Sequence, residues 1–149
     1  MCFSKKKKKV GITNSNSVED ADEVMVLQQK MYQDVFDVLQ SYLPEGWKKV
    51  AVYDLEIENM SEVKFYVDSG KGYIDCFDLY DSQKISKFIE EVSSITKPVK
   101  NALPKKHKWY VFKMFVTSEG DMNVEYEYKN ILGKTIDYGT DFEKSLKVK

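Results

Sequence analysis

Three strand-like runs follow one another near the middle of the chain, at roughly Trp47–Ile57, Val63–Val67 and Tyr73–Tyr80. The links between them, ENMS and DSGKG, are too short for a crossover connection, which needs about a dozen residues or more. Neighbouring runs can therefore pair only in antiparallel fashion. The spacing predicts a three-stranded meander at the centre of the fold.

Two segments with helical periodicity lie on either side of this meander. The first follows Ser17, a candidate N-cap, and ends before Pro44. The second is DSQKISKFIEEVSSI, and Pro98 is expected to end or kink it. Apolar residues recur at spacings of three and four in both, at Val24, Leu27, Met31, Val35, Val38 and Tyr42, and at Ile85, Phe88, Ile89, Val92 and Ile95.

A second pair of strands follows the second helix. The runs WYVFKMFV and MNVEYEYKN flank TSEGD, which is typical of a hairpin with glycine at its turn. The element order is then α-β-β-β-α-β-β. It predicts an α+β fold with an antiparallel sheet of about five strands, covered by helices on one face and exposed to water on the other. The final segment, ILGKTIDYGTDFEKSLKVK, contains one short helix-like piece without an assigned place.

The length of 149 residues suits one domain. We expect a flexible lysine-rich tail at residues 1–17 and a single globular domain at residues 18–149, because the tail has little to bury. The chain has no apolar run of the roughly 20 residues that a membrane span requires, and no export signal. Its two cysteines predict neither a disulfide framework nor a zinc site. A cytoplasmic location is expected.

The charge is unevenly distributed along the chain. Lys5–Lys9 precede every acidic residue, so the formal net charge of -1 hides an acidic remainder. All 23 basic residues are lysines. Without arginine the chain lacks the bidentate group that dominates phosphate and base-edge recognition, and direct nucleic-acid binding is not expected.

A row of carboxylates lies along the first predicted strand and its end. Asp54, Glu56 and Glu58 share one parity, whereas Ala51 and Ile57 belong to the apolar parity. Side chains of one parity lie on one face of a sheet, so the three acids are expected in a row on its exposed face. They could simply solvate that face, or they could contact a basic partner.

The last strand adds acidic and aromatic side chains to the candidate contact. Its members are Glu125, Tyr126, Glu127 and Tyr128. Charge complementarity raises the association rate, and tyrosines supply contact area at a low entropic cost. Together with the row on the first strand, these residues predict a partner-binding surface for a basic protein.

The sequence contains few features that would indicate a catalytic or metal-binding site. His107 stands among lysines without a carboxylate to orient it, and no recognised nucleophile or phosphate-loop spacing is present. Carboxylates spaced at about 6.6 Å along a strand suit a single ion poorly. No catalytic residue, metal or cofactor is therefore expected. The alternatives that stay open are a small carbohydrate- or cation-binding domain or hydrolase using the acidic face, and an adaptor whose lysine tail binds a membrane.

The segments YLPEGWKKVAVY, VKFYVDSGKGYI and WYVFKMFVTSEGDMNVEYEY, in this order between Met31 and Tyr128, resemble the YezG-like immunity protein family. The resemblance implies a cytoplasmic bacterial antitoxin without enzymatic activity. Such a protein binds and neutralises the toxic domain of a cognate secreted polymorphic toxin, in some relatives a nuclease exported by a type VII pathway. Trp47 and Gly120 match family positions that we interpret as structural. The C-terminal DFEKSLKVK and the lysine tail depart from the family pattern.

Overall fold

The computed structural model of the chain describes residues 21–57, 60–128 and 135–147. The lysine-rich tail and the cap predicted at Ser17 lie outside these residues. The helices are α1 (Ala21–Gln40), α2 (Ser82–Ala102) and α3 (Thr135–Lys147). The strands are β1 (Lys49–Ile57), β2 (Met60–Asp68), β3 (Tyr73–Asp75), β4 (Val111–Thr117) and β5 (Met122–Glu127). Short 3-10 turns occupy Cys76–Asp78 and Lys105–His107.

The five described strands form one antiparallel sheet in the order β3-β2-β1-β4-β5. β1 is the central strand. It pairs with β2 from Lys49↔Asp68 to Ile57↔Met60, and with β4 from Lys49↔Thr117 to Leu55↔Val111. The predicted α+β fold and the predicted order of its elements are confirmed, with α3 added after the last strand.

The two long helices cover one face of the sheet. Met31 and Leu39 of α1 and Phe88 of α2 are buried there against Phe65 of β2. The Phe88 ring lies 4.8 Å from the Phe65 ring and packs edge-on to Tyr42 at 5.1 Å. The helical stripes predicted from periodicity therefore do form the core, because they are the apolar faces of both helices.

The opposite face is also covered, which corrects the prediction that it is exposed to water. A second apolar cluster lies between the sheet and α3, where Phe142 packs against Tyr53 and Tyr66. Tyr53 is completely buried. Alternation along β1 showed which side chains share a face, but it could not show that both faces of a central strand are covered. The cluster consists of Ala51, Tyr53, Leu55, Ile57, Tyr66, Val111, Phe142 and Leu146.

Two predicted boundaries differ from the observed ones. The third strand ends at Asp75 instead of Tyr80, because the Asp75 carboxylate accepts a hydrogen bond from the Phe77 N–H and caps a 3-10 turn. α2 continues past Pro98 to Ala102. It ends where the Lys108 ammonium donates to the exposed carbonyls of Lys100 and Asn101, which is a favourable charge at a helix C-terminus.

A glycine brings α3 close to the sheet. A Cβ placed on Gly139 would lie 2.8 Å from Tyr53 Oη and 3.2 Å from Glu62 Oε2. These two atoms are themselves joined, because the Tyr53 hydroxyl donates to Glu62 at 2.6 Å. The missing side chain is therefore what lets α3 lie over this hydrogen bond.

Replacing Gly139 by alanine tests this close approach. In a free helix the exchange stabilises by roughly 1 kcal/mol. Here we expect the methyl group to push α3 from the buried Tyr53 hydroxyl and to lower the free energy of unfolding by about 1–3 kcal/mol. Urea unfolding measures the change, and Thr140→Ala, at an exposed position of the same helix, is the control. A gain in stability in both variants would contradict the contact.

Candidate partner-binding surface

The predicted acidic row does not form an exposed surface. Asp54 is completely buried and Glu56 is 5% exposed. Both share their parity with Val50 and Val52, which face the layer formed by α1 and α2. The prediction that these two acids are in contact with water is therefore wrong, because α2 passes over the face they occupy. Glu58 lies outside the described residues.

Hydroxyl groups from two elements hold the buried carboxyls. Thr96 of α2, itself completely buried, donates its hydroxyl to Asp54 Oδ2 at 2.5 Å. Ser61 of β2 donates to Glu56 Oε1 at 2.5 Å. The Lys100 ammonium donates to the Glu56 backbone carbonyl at 2.8 Å, and Lys97 Nζ lies 3.9 Å from Glu56 Oε1. The pair therefore connects β1, β2 and α2.

The Asp54 and Glu56 carboxyls also influence each other electrostatically. Burial and the adjacent Glu56 carboxylate raise the pKa of Asp54 well above its ordinary value, against the smaller opposing effects of Thr96 and Lys100. Asp54 Oδ1 and Glu56 Oε2 are both buried and have no hydrogen-bond partner among the described residues. A proton bound to Asp54 would lower the cost of burying two carboxyls side by side, and the raised pKa of Asp54 favours that protonated form.

This pair is inaccessible to a sugar or a hydrated cation. The helix layer covers it, and it comprises two carboxyls bound to hydroxyl groups of the protein. Within the part of the chain that the structure describes, no group of three or more His, Cys, Asp or Glu side chains could hold a metal ion. Asp54 and Glu56 therefore offer no accessible carboxylate to the carbohydrate- or cation-binding alternative.

The acidic residues of β5 lie on the other face of the sheet. Glu125 and Glu127 are opposite Lys113 and Val111, on the side covered by α3. Lys113 Nζ lies 3.2 Å from a carboxylate oxygen of each glutamate, and the Tyr138 hydroxyl donates to Glu127 at 3.3 Å. The Glu125 side chain is nonetheless 50% exposed and that of Glu127 34%. The structure thus separates these acids from Asp54 and Glu56.

The two tyrosines of the prediction differ in their exposure. The Tyr126 ring packs against Phe112 and Trp109, and its hydroxyl forms a 2.7 Å hydrogen bond with the Tyr32 hydroxyl of α1. Tyr128 is 47% exposed, with its ring 5.9 Å from the Tyr126 ring. Tyr126 therefore joins the sheet to α1, and Tyr128 is available for a contact.

The sequence analysis did not identify Met122, the first residue of β5, as a candidate contact residue. Met122 is 42% exposed, and it lines a groove of about 170 Å³ with Lys49, Tyr73 and Phe115. Four strands contribute these residues, so no local pattern could have identified the groove. The accessible side chains of this region, Met122, Val124, Glu125, Glu127 and Tyr128, are called the β5 surface below.

The raised pKa of Asp54 has a measurable consequence for stability. The folded state binds the proton of Asp54 more tightly than the unfolded state, so this contribution is complete below about pH 3.8 and is lost as the pH rises through the raised pKa. We expect Asp54→Asn to keep the hydrogen bonds, to remove this pH dependence and to be at least as stable as the wild type at pH 7. Urea unfolding between pH 4 and pH 8 measures the effect.

The control for this measurement is Asp37→Asn, at an exposed position of α1. It changes the same functional group without touching the pair, so the pH dependence of the wild type should persist. Strong destabilisation of Asp54→Asn at pH 7 would show instead that Asp54 is ionised in the folded protein.

Comparison with known proteins identifies a family for this chain. A family profile described as immunity protein YezG-like matches residues 28–143, from within α1 to within α3. The search of curated proteins found no significant match. None of the helices in the described ranges is long and apolar enough to cross a membrane. Because the profile covers well over half of the 149 residues, the chain belongs to the YezG-like immunity protein family.

Proposed function

We propose that this chain is an immunity protein that binds and neutralises the toxic domain of a cognate secreted toxin. Inhibition is by stoichiometric binding, without catalysis by the chain itself. The family match over residues 28–143 carries the proposal. In the more specific form of this proposal, the toxin is a polymorphic toxin with nuclease activity that is exported by a type VII pathway. The immunity protein acts in the bacterial cytoplasm. Residues 18–149 form its toxin-binding domain.

The charge balance supports a basic partner. Beyond Lys5–Lys9 the chain has 18 lysines and 24 acidic residues. A nuclease must carry positive charge to hold its phosphate substrate. Opposite net charges steer the two proteins together and raise the association rate, which is valuable to an inhibitor that must act before the toxin does.

In this proposal the toxin contacts the β5 surface. Within the described ranges, the ion pairs of Glu125 and Glu127 are both with one lysine, Lys113. Tyr128 adds an exposed aromatic ring beside this cluster. Asp54 and Glu56, predicted as contacts, act from inside by holding α2 on the sheet.

The function is tested by recovery of the partner and by titration. A tagged copy expressed in its native bacterium should co-purify with a basic toxin domain, because inhibition requires tight binding. The activity of that domain, freed from the complex and mixed with the purified protein, should fall to zero at a ratio of one to one. An activity that declines only at large excess, or no bound toxin in cells that produce it, would contradict the proposal.

The electrostatic part has its own test. We expect the double variant Glu125→Gln and Glu127→Gln to slow association with the recovered toxin severalfold at low salt, and by less at high salt. Glutamine keeps an acceptor for the Tyr138 hydroxyl. The pair Glu45→Gln and Glu90→Gln, at exposed positions elsewhere, makes the same change in net charge and is the control. Equal rates for both double variants, measured by stopped-flow fluorescence, would exclude β5 from the contact.

A further inference from the structure

β5 has an open edge. It is the last strand of the sheet, and no strand within the described ranges pairs with its outer side. The opposite edge strand, β3, has only three residues and turns directly into a 3-10 helix at Cys76. A very short edge is one way in which proteins avoid pairing with other chains. β5 has six residues and lacks this protection.

The hydrogen-bond register shows which backbone groups point outward. The Thr117 N–H donates to the Asp121 carbonyl at 2.9 Å, so these residues form a hydrogen-bonded pair. Such pairs alternate along an antiparallel ladder, which directs the backbone groups of Asn123 and Glu125 toward β4. The N–H and C=O groups of the β5 residues that alternate with these two point away from β4, toward the open edge. These outward residues are Met122, Val124 and Tyr126.

The composition of this edge favours one kind of partner strand. Edge strands are commonly blocked by lysine, proline or a bulge. Residues 118–128, SEGDMNVEYEY, contain no lysine and no proline but four acidic residues. A second copy of the chain would place two such acidic strands side by side, and the like charges would oppose pairing. A strand with basic side chains would be attracted.

We propose that the outer edge of β5 binds an extended, basic segment of the toxin domain as a sixth strand of the sheet. This rests on the proposed function and names the binding mode. The backbone of Met122, Val124 and Tyr126 supplies the hydrogen bonds. Side chains of the added strand alternate between the faces, so basic residues lie beside Glu125 and Glu127, and apolar residues lie beside Val124 and Tyr126.

Designed peptides test the edge without the toxin. The probe is acetyl-KVKVKVK-amide, added to the 15N-labelled full chain and followed by NMR. We expect changes in chemical shift centred on the amides of Met122, Val124 and Tyr126. The acidic peptide acetyl-EVEVEVE-amide should bind far more weakly, and so should the basic peptide with its valine nitrogens methylated. Shift changes elsewhere, or equal binding of all three peptides, would overturn the proposal.

A variant tests the same edge from the side of the protein. Val124→Pro removes one outward N–H and leaves the ladder with β4 intact, because proline is tolerated where the N–H faces solvent. We expect this variant to weaken binding of the basic peptide by about tenfold or more. It lacks the backbone N–H donor of residue 124, and its proline ring obstructs the approach of the added strand. Val124→Thr retains the N–H and is the control. Dispersed amide signals verify the fold of each variant.

The toxin distinguishes this proposal from the proposed function. Full neutralisation by both the wild type and Val124→Pro with equal affinity would overturn the edge as the contact and leave the immunity function standing. Loss of toxin binding in Val124→Pro alone, with Val124→Thr unaffected, would support both. Peptide binding at the edge of a protein that neutralises no toxin would overturn the immunity function and retain the edge as a docking site.

Discussion

Burial of β1 on both faces is the constraint on which the rest of this structure depends. The strand pairs with β2 on one side and with β4 on the other, α1 and α2 cover one face, and α3 covers the opposite face. Every side chain from Val50 to Ile57 is buried. A strand in this position cannot offer its polar groups to solvent, so the protein has to satisfy them internally.

The Asp54–Glu56 pair follows from this constraint. Two ionised carboxylates in a buried site would be very costly, and the cost falls when one of them is protonated and both accept hydrogen bonds from hydroxyl groups. Thr96 and Ser61 supply those donors from α2 and β2. Such a network disfavours other helix positions, because a shifted α2 would leave Asp54 without its partner. Asp54 and Glu56, which the sequence had suggested as partner contacts, thus connect the sheet to α2.

The exposed side chains of β5 lie at the periphery of the sheet. β5 combines an open backbone edge, half-exposed glutamates and an exposed Tyr128, and it belongs to the region matched by the immunity protein family. The edge is connected to the buried centre of the sheet, since β4 pairs with both β1 and β5. A preorganised edge loses little entropy when a partner strand is added, which favours tight inhibition.

The sequence by itself determined the α+β class, the antiparallel meander, the glycine-tipped hairpin and the family, because these depend on local periodicity and on the length of the links. It also determined that Asp54 and Glu56 lie on one face. Only the tertiary structure decided that this face is covered, that Glu125 and Glu127 lie on the opposite face, and that α3 approaches Tyr53 through Gly139. The physical reason is that a period of two assigns side chains to one face or the other, whereas burial depends on elements distant in sequence that pack over each face.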